Sequence, residues 1–340
     1  MPGDVVPDTE GGAVEEWAGS NPAAGRQFAD RLYPIPAPTR RRGHRTVITI
    51  AIVGAVIAVL AGIAGVLQLV RSPNSPLTAL RYSKQTILPF TGLKDPTGVA
   101  VDAKGDVYVT DAGNRRVLKL AAGSTSQTQL PFTGLQNLTG VAVDDKGAVY
   151  VSYYTGGFPG VGTVVKLAAG SSSQTVLPFT GLADPRAVAV DADGNVYVAD
   201  RRKQQVVRMA AGSSSQTVLP FTGLEFPQGV AVDPEGDVYV TDTQLYDHRV
   251  VRLASGSTDQ TELPFTGLDQ PHGVAVADNG TVFVTDSNSR QVLKLPAGSA
   301  RQSALPFRGL NSPEGVAVDA KGDVYVVDAN RSRVVKLPRS

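Results

Sequence analysis

Five aspartates stand at one place in a repeated unit. Asp111, Asp200, Asp242, Asp286 and Asp328 each close an apolar run, and four are followed by an arginine a few residues on: Arg116, Arg249, Arg290 and Arg333. Carboxylates set in a ring could hold a metal or move protons. Catalysis, however, needs one asymmetric site, so five copies related by rotation predict a structural device in which Asp caps a turn and Arg bridges the hairpin. Histidine is scarce, with only His248 and His272 after residue 44. Together with a carboxylate such as Glu314 they could make a metal site, although nothing in their spacing brings them together. A calcium ion in a central channel would be structural, and no other cofactor is implied. The chain has no Gly-rich phosphate loop with Lys, no Gly-x-Ser-x-Gly elbow and no set of kinase signatures.

Binding chemistry is better represented, at positions where the repeats differ. From Val149 to Leu167 the second unit uses 19 residues where Val107 to Leu120 uses 14, and the extra length carries Tyr153, Tyr154 and Phe158 among glycines. Tyr153 also replaces the recurrent Asp. Such a loop could fold over a ligand or anchor a partner, or its rings could cover a neighbouring unit. Arg186 and His272 fill a slot after a proline where other units have Thr97, Thr139, Gln228 and Glu314. Arg201, Arg202 and Lys203 form a basic cluster in the third unit, while the fourth has Tyr246, Asp247 and His248. Each alone fits a solvated loop; together they make a rim of mixed charge suited to a polar or protein ligand rather than a lipid.

These residues are positioned by a repeat. Leu-Pro-Phe recurs from Leu88, Leu130, Leu177, Leu219, Leu263 and Leu305, at intervals of 42, 47, 42, 44 and 42 residues. A period in the low forties with only short apolar runs predicts four-stranded propeller blades. Val99, Ala100 and Val101, then Val107, Tyr108 and Val109, are apolar on both faces, as strands must be when covered on both sides. Asp102 to Gly105 and Ala122 to Ser124 supply the tight turns. The repeats begin with a lone fourth-type strand near Gln85–Phe90 and end with a third-type strand, Val334–Leu337. One strand from the start and three from the end therefore close a six-bladed ring without open edges. Loops from the fourth strand to the first and from the second to the third share one face, the top. They vary most, which makes the top face the expected recognition surface.

The runs Pro96-Thr-Gly98-Val-Ala-Val-Asp102 and Val107-Tyr-Val-Thr-Asp111-Ala-Gly-Asn114-Arg-Arg116-Val117 resemble the NHL repeat over residues 84–337. The LPFTGL and AAGS connectors resemble, more narrowly, the extracellular sensor of PknD-type mycobacterial receptor serine/threonine kinases. That resemblance implies a six-bladed propeller behind one membrane helix, serving as an extracytoplasmic sensor or binding module. The 45 residues before the apolar segment are too few for a kinase domain, so any signal would pass through a partner signalling protein. Two other readings stand beside this one. The NHL-type lyases and propeller lactonases imply a metal held by several histidines, which this chain lacks. A structural adhesion or scaffold protein of the envelope would need neither a small ligand nor a signal.

The remaining sequence sets the topology. Residues 1–45 are polar and rich in Pro, Gly and Ala, the composition of a disordered cytoplasmic tail. Thr46–Val70 carries no charge; as a helix it would extend about 37 Å, enough to cross a membrane. Arg40, Arg41, Arg42 and Arg45 precede it and only Arg71 follows closely, which places the N-terminus inside and the propeller outside. Residues 71–83 read as a linker and 84–340 as the propeller. Seven of the 32 Lys and Arg and six of the 31 Asp and Glu precede residue 72, which leaves 25 of each beyond it. That balance argues against nucleic acid as a partner and leaves an envelope protein or small ligand. There is no cysteine, so the fold relies on its closed core.

Overall fold

In the computed structural model, residues 82–156, 160–244 and 247–340 are described. The expected tail, the membrane helix and nearly all of the linker lie outside these residues, as do Phe158 and Tyr246. No helix among the described residues is long and apolar enough to cross a membrane.

The chain forms six antiparallel four-stranded sheets. The first blade is β2 (Pro96–Val101), β3 (Val107–Asp111), β4 (Arg116–Leu120) and β5 (Gln127–Gln129), counted from the channel outward. The second is β6 (Leu138–Val143), β7 (Val149–Thr155), β8 (Val161–Leu167) and β9 (Gln174–Val176), and the third is β10 (Pro185–Val190), β11 (Val196–Asp200), β12 (Gln205–Met209) and β13 (Gln216–Val218). The fourth is β14 (Pro227–Val232), β15 (Val238–Thr243), β16 (His248–Leu253) and β17 (Gln260–Glu262). The fifth is β18 (Pro271–Val276), β19 (Val282–Asp286), β20 (Gln291–Leu295) and β21 (Ser303–Ala304). The sixth joins β22 (Pro313–Val318), β23 (Val324–Asp328) and β24 (Arg333–Leu337) to β1 (Thr86–Ile87), with Thr86 opposite Lys336 and Ile87 opposite Val335. The ring thus closes as the strand count requires.

The first five residues of the second strand of each blade are buried because neighbouring blades cover both faces. Tyr108 and Val117 of the first blade pack with Val141, Val149 and Val165 of the second, and Tyr150 and Val164 of the second pack with Val188 and Val196 of the third. The repeated Gln-Thr and Phe-Thr-Gly elements also have a physical reason. Gln127 donates through Nε2 to the Thr91 carbonyl and accepts the Thr91 N–H at Oε1, both at 2.9 Å, which clamps the connector entering that blade. Gln174, Gln216, Gln260 and Gln302 do the same to Thr133, Thr180, Thr222 and Thr266. At the closure Gln85 grips the backbone of Arg308.

The recurrent aspartates are fully buried. Asp111 accepts the Lys94 N–H at 2.7 Å with one oxygen, and Arg116 Nε at 2.7 Å and Asn114 Nδ2 at 2.8 Å with the other. Asp242 and Asp328 likewise pair with Arg249 and Arg333. Arg290 departs from the expectation. It takes the left-handed turn position, φ 55°, as Arg115 does in the first blade, and Gln291 stands opposite Asp286 where Arg116 stands opposite Asp111. The hairpin offset, rather than the count of residues after Asp, decides which side chain faces the carboxylate.

Candidate functional site at the channel mouth

The inner strands crowd the axis. A Cβ on Gly229 would lie 2.5 Å from the His272 carbonyl oxygen, and one on Gly273 would lie 2.5 Å from that of Glu314. A register shift follows each leading proline, as between Pro227 and Val230. The residue after that proline, or after Leu138 in the second blade, is thereby turned to the mouth. Thr97, Thr139, Arg186, Gln228, His272 and Glu314, one from each blade, all line a single cavity of about 330 Å³.

Electrostatics differ sharply around this ring. Arg186 Nη2 donates to Asp184 Oδ2 at 3.0 Å, and Arg201 Nη1 lies 3.9 Å from the same oxygen. Asp184 is itself held by its N–H on Asp200 Oδ1 at 2.9 Å. The Arg201 guanidinium also lies over the Phe226 ring, 5.2 Å from its centroid. Burial and then the neighbouring Arg186 hold the Arg201 pKa below its usual value, with Asp184 opposing. Burial, followed by the charges of Arg186 and Arg201, brings His272 down to about 4, so its imidazole is neutral at pH 7. Burial pushes Glu314 up to about 7, opposed by Arg186 and reinforced by Asp95.

Other expected residues fall elsewhere. Tyr153 is a core residue: it pairs with Leu138 in the position where other blades pair Asp with Pro, and it packs with Phe132, Leu135 and Leu138. Replacing Asp and Pro together by Tyr and Leu turns a polar joint into an apolar one, so Tyr153 does not reach a ligand. Tyr154, the next residue, points the other way and lines the cavity. Arg202 is exposed in the turn after Asp200. His248 opens β16 opposite Thr243 and does not line the cavity. Among the described residues no three of His, Cys, Asp and Glu stand close enough together to hold a metal. Asp184 escaped the sequence reading, although an acid just before the proline and a base just after it was a visible signal.

The NHL repeat family matches residues 93–120, 182–209, 224–253, 268–295 and 310–337. The matched segments omit the second blade, where Leu138 and Tyr153 replace the usual pair. Over 134 residues the chain is 48% identical to serine/threonine-protein kinase PknD of Mycobacterium tuberculosis strain H37Rv. That alignment takes in 36% of this chain and only 18% of the kinase. Among solved structures, XC5397 of Xanthomonas campestris, described as a gluconolactonase, has a TM-score of 0.63 at 16% identity, covering 78% of this chain and 94% of its own. A chain of a nidogen/laminin complex has a TM-score of 0.57 at 20% identity, covering 65% and 85%. At such identities the likeness is one of fold alone.

Proposed function

We propose that this six-bladed propeller of NHL repeats is the extracytoplasmic recognition domain of a membrane-tethered sensor or binding protein, with its site at the top-face channel mouth. One observation carries the reading. The framework repeats six times, down to its glutamine clamps, yet the six equivalent positions facing one cavity hold five residue types. A rigid ring that diversifies at the positions facing its cavity suits selective binding. The likeness to a receptor-class kinase and the uncharged Thr46–Val70 segment behind four arginines support placement outside the membrane. A signal would then travel through the helix or a partner protein, because the chain brings no phosphoryl-transfer motif of its own.

Proximity labelling tests the reading, with the labelling enzyme fused once to the N-terminus and once to Ser340. The expected result is one envelope partner, or a ligand-dependent change in labelling, seen only from the Ser340 fusion and lost in Arg186→Gln/Tyr154→Ala. Labelling that is diffuse and indifferent to these substitutions would favour an adhesion or scaffold role. A second reading draws on His272 and Glu314 in the same cavity, a neutral base and an acid titrating near 7. It would be a lactonase or lyase, and turnover of a lactone that disappears in His272→Ala would support it.

A further inference from the structure

The cavity is electrically lopsided. Neighbouring blades contact one another in chain order and the sixth contacts the first, so the third blade stands across the ring from the sixth. Arg186 therefore faces Glu314 across the channel, with uncharged side chains on the other walls apart from His272, which is neutral at pH 7. On the third blade Asp184 pairs with both Arg186 and Arg201, and of these three side chains only Arg186 lines the cavity, so the charge that wall presents to it is positive. Nε of Arg186 and Nε of Arg201 are buried and have no hydrogen-bond partner among the described residues. Oδ1 of Asp184 is also unpartnered. The two arginine side chains keep 31% and 36% exposure, and a carboxylate is the acceptor that suits a guanidinium group best. Glu314, on the opposite wall, offers an acceptor for a hydroxyl or ammonium group.

We propose that the cavity binds a small organic acid bearing a second polar donor, an amino acid or hydroxy acid, with its carboxylate on Arg186 and its donor toward Glu314. The available volume of about 330 Å³ suits a molecule of that size. This deepens the recognition reading above and rests on it.

The test uses the full chain in detergent micelles, titrated calorimetrically with alanine, glutamate, lactate and gluconate and with the primary amide of each. The expected result is binding of at least one acid, with its amide about tenfold weaker or worse, since a charge-assisted contact is lost. Arg186→Gln erases the difference between acid and amide, Arg186→Lys keeps part of it, and Arg301→Gln on a remote exposed turn leaves it intact. The proposal falls if no acid binds, if acid and amide bind alike, or if Arg186→Gln changes nothing. Gln228→Phe, which fills the cavity, separates the two levels of the account. If acid and amide bind alike and both are lost in Gln228→Phe, the acid proposal falls while top-face recognition stands. Binding that survives Gln228→Phe sinks both.

Discussion

Replacing Asp242 tests in numbers whether the buried carboxylates hold the blades to their connectors. Its Oδ1 accepts the N–H groups of Glu225 and Phe226 at 3.0 and 2.9 Å. Its Oδ2 takes Gln244 Nε2 at 3.1 Å and Arg249 Nη2 at 3.2 Å, and the Arg249 side chain is only 15% exposed. Asp242→Asn can keep the two backbone contacts and gives up the ion pair. Stranding one member of a buried pair costs about 3–5 kcal/mol; Arg249 still donates to the Gly223 carbonyl at 2.6 Å, so a loss of about 2–3 kcal/mol is expected. Asp242→Ala also orphans two backbone N–H groups, at about 1 kcal/mol or more each, for about 4–5 kcal/mol in all. Asp286 is the internal comparison, because Gln291 rather than an arginine stands opposite it; Asp286→Asn should cost about 1 kcal/mol. Urea unfolding followed by far-UV circular dichroism measures these losses as midpoint shifts at unchanged slope. Tryptophan fluorescence would not serve, since the single tryptophan, Trp17, precedes the propeller. Equal losses for Asp242→Asn and Asp286→Asn, or less than about 1 kcal/mol for Asp242→Ala, would refute the reasoning.

Three further outcomes are expected. Tyr82 packs against the core of the closing blades and carries the Lys294 ammonium 5.5 Å from its ring centroid, but its buried hydroxyl has no partner among the described residues. In thermal unfolding Tyr82→Ala should lose about 2 kcal/mol, whereas Tyr82→Phe should be at least as stable as the parent; a Tyr82→Phe loss equal to that of Tyr82→Ala would contradict this. Gly273→Ala would drive its Cβ to 2.5 Å from the Glu314 carbonyl oxygen and should cost about 1–3 kcal/mol while disturbing the mouth; unchanged unfolding would show that the inner strands have slack. The mouth also predicts a pH signature. Glu314, raised to about 7, loses stability for the fold as pH climbs from its unfolded value through 7, because the native state there binds more protons than the unfolded state. His272, lowered to about 4, acts in the opposite sense, adding stability as pH climbs from 4 to its unfolded value. Relative to the parent, unfolding midpoints of Glu314→Gln should therefore rise with pH between 4.5 and 6.5 and those of His272→Gln should fall; parallel profiles would exclude the assignment.

The ring was legible because its signals are local and repeated. Six Leu-Pro-Phe marks, doubly apolar strand pairs and Asp-x-x-Gly turns each dictate the same blade, and the surplus first strand fixes the closure. The slot after the proline was legible too, since equivalent positions in a rotationally repeated fold must meet at the axis. Contacts across blades were not. That Tyr153 is core and Tyr154 faces the mouth depends on a one-residue alternation within β7, which the aromatic run Tyr153-Tyr154 conceals. Arg290 misled because hairpin offset, not sequence distance, selects the partner of Asp286. Tyr82 was invisible for a related reason. In the fifth blade Phe283 stands where the first and sixth blades have Tyr108 and Tyr325 beside their lysines, and the ring under Lys294 is that of Tyr82, about 200 residues earlier.

The channel mouth as the recognition site is tested most directly by a photo-crosslinking residue placed at Gln228 in the full chain in its native membrane, beside a second copy with the residue at Ala192 in a turn on the opposite face. The account predicts a discrete crosslinked species from position 228 that vanishes when Arg186 is changed to Gln, and none from position 192. Crosslinking from position 192 alone, or crosslinking from position 228 that is indifferent to Arg186, would contradict it.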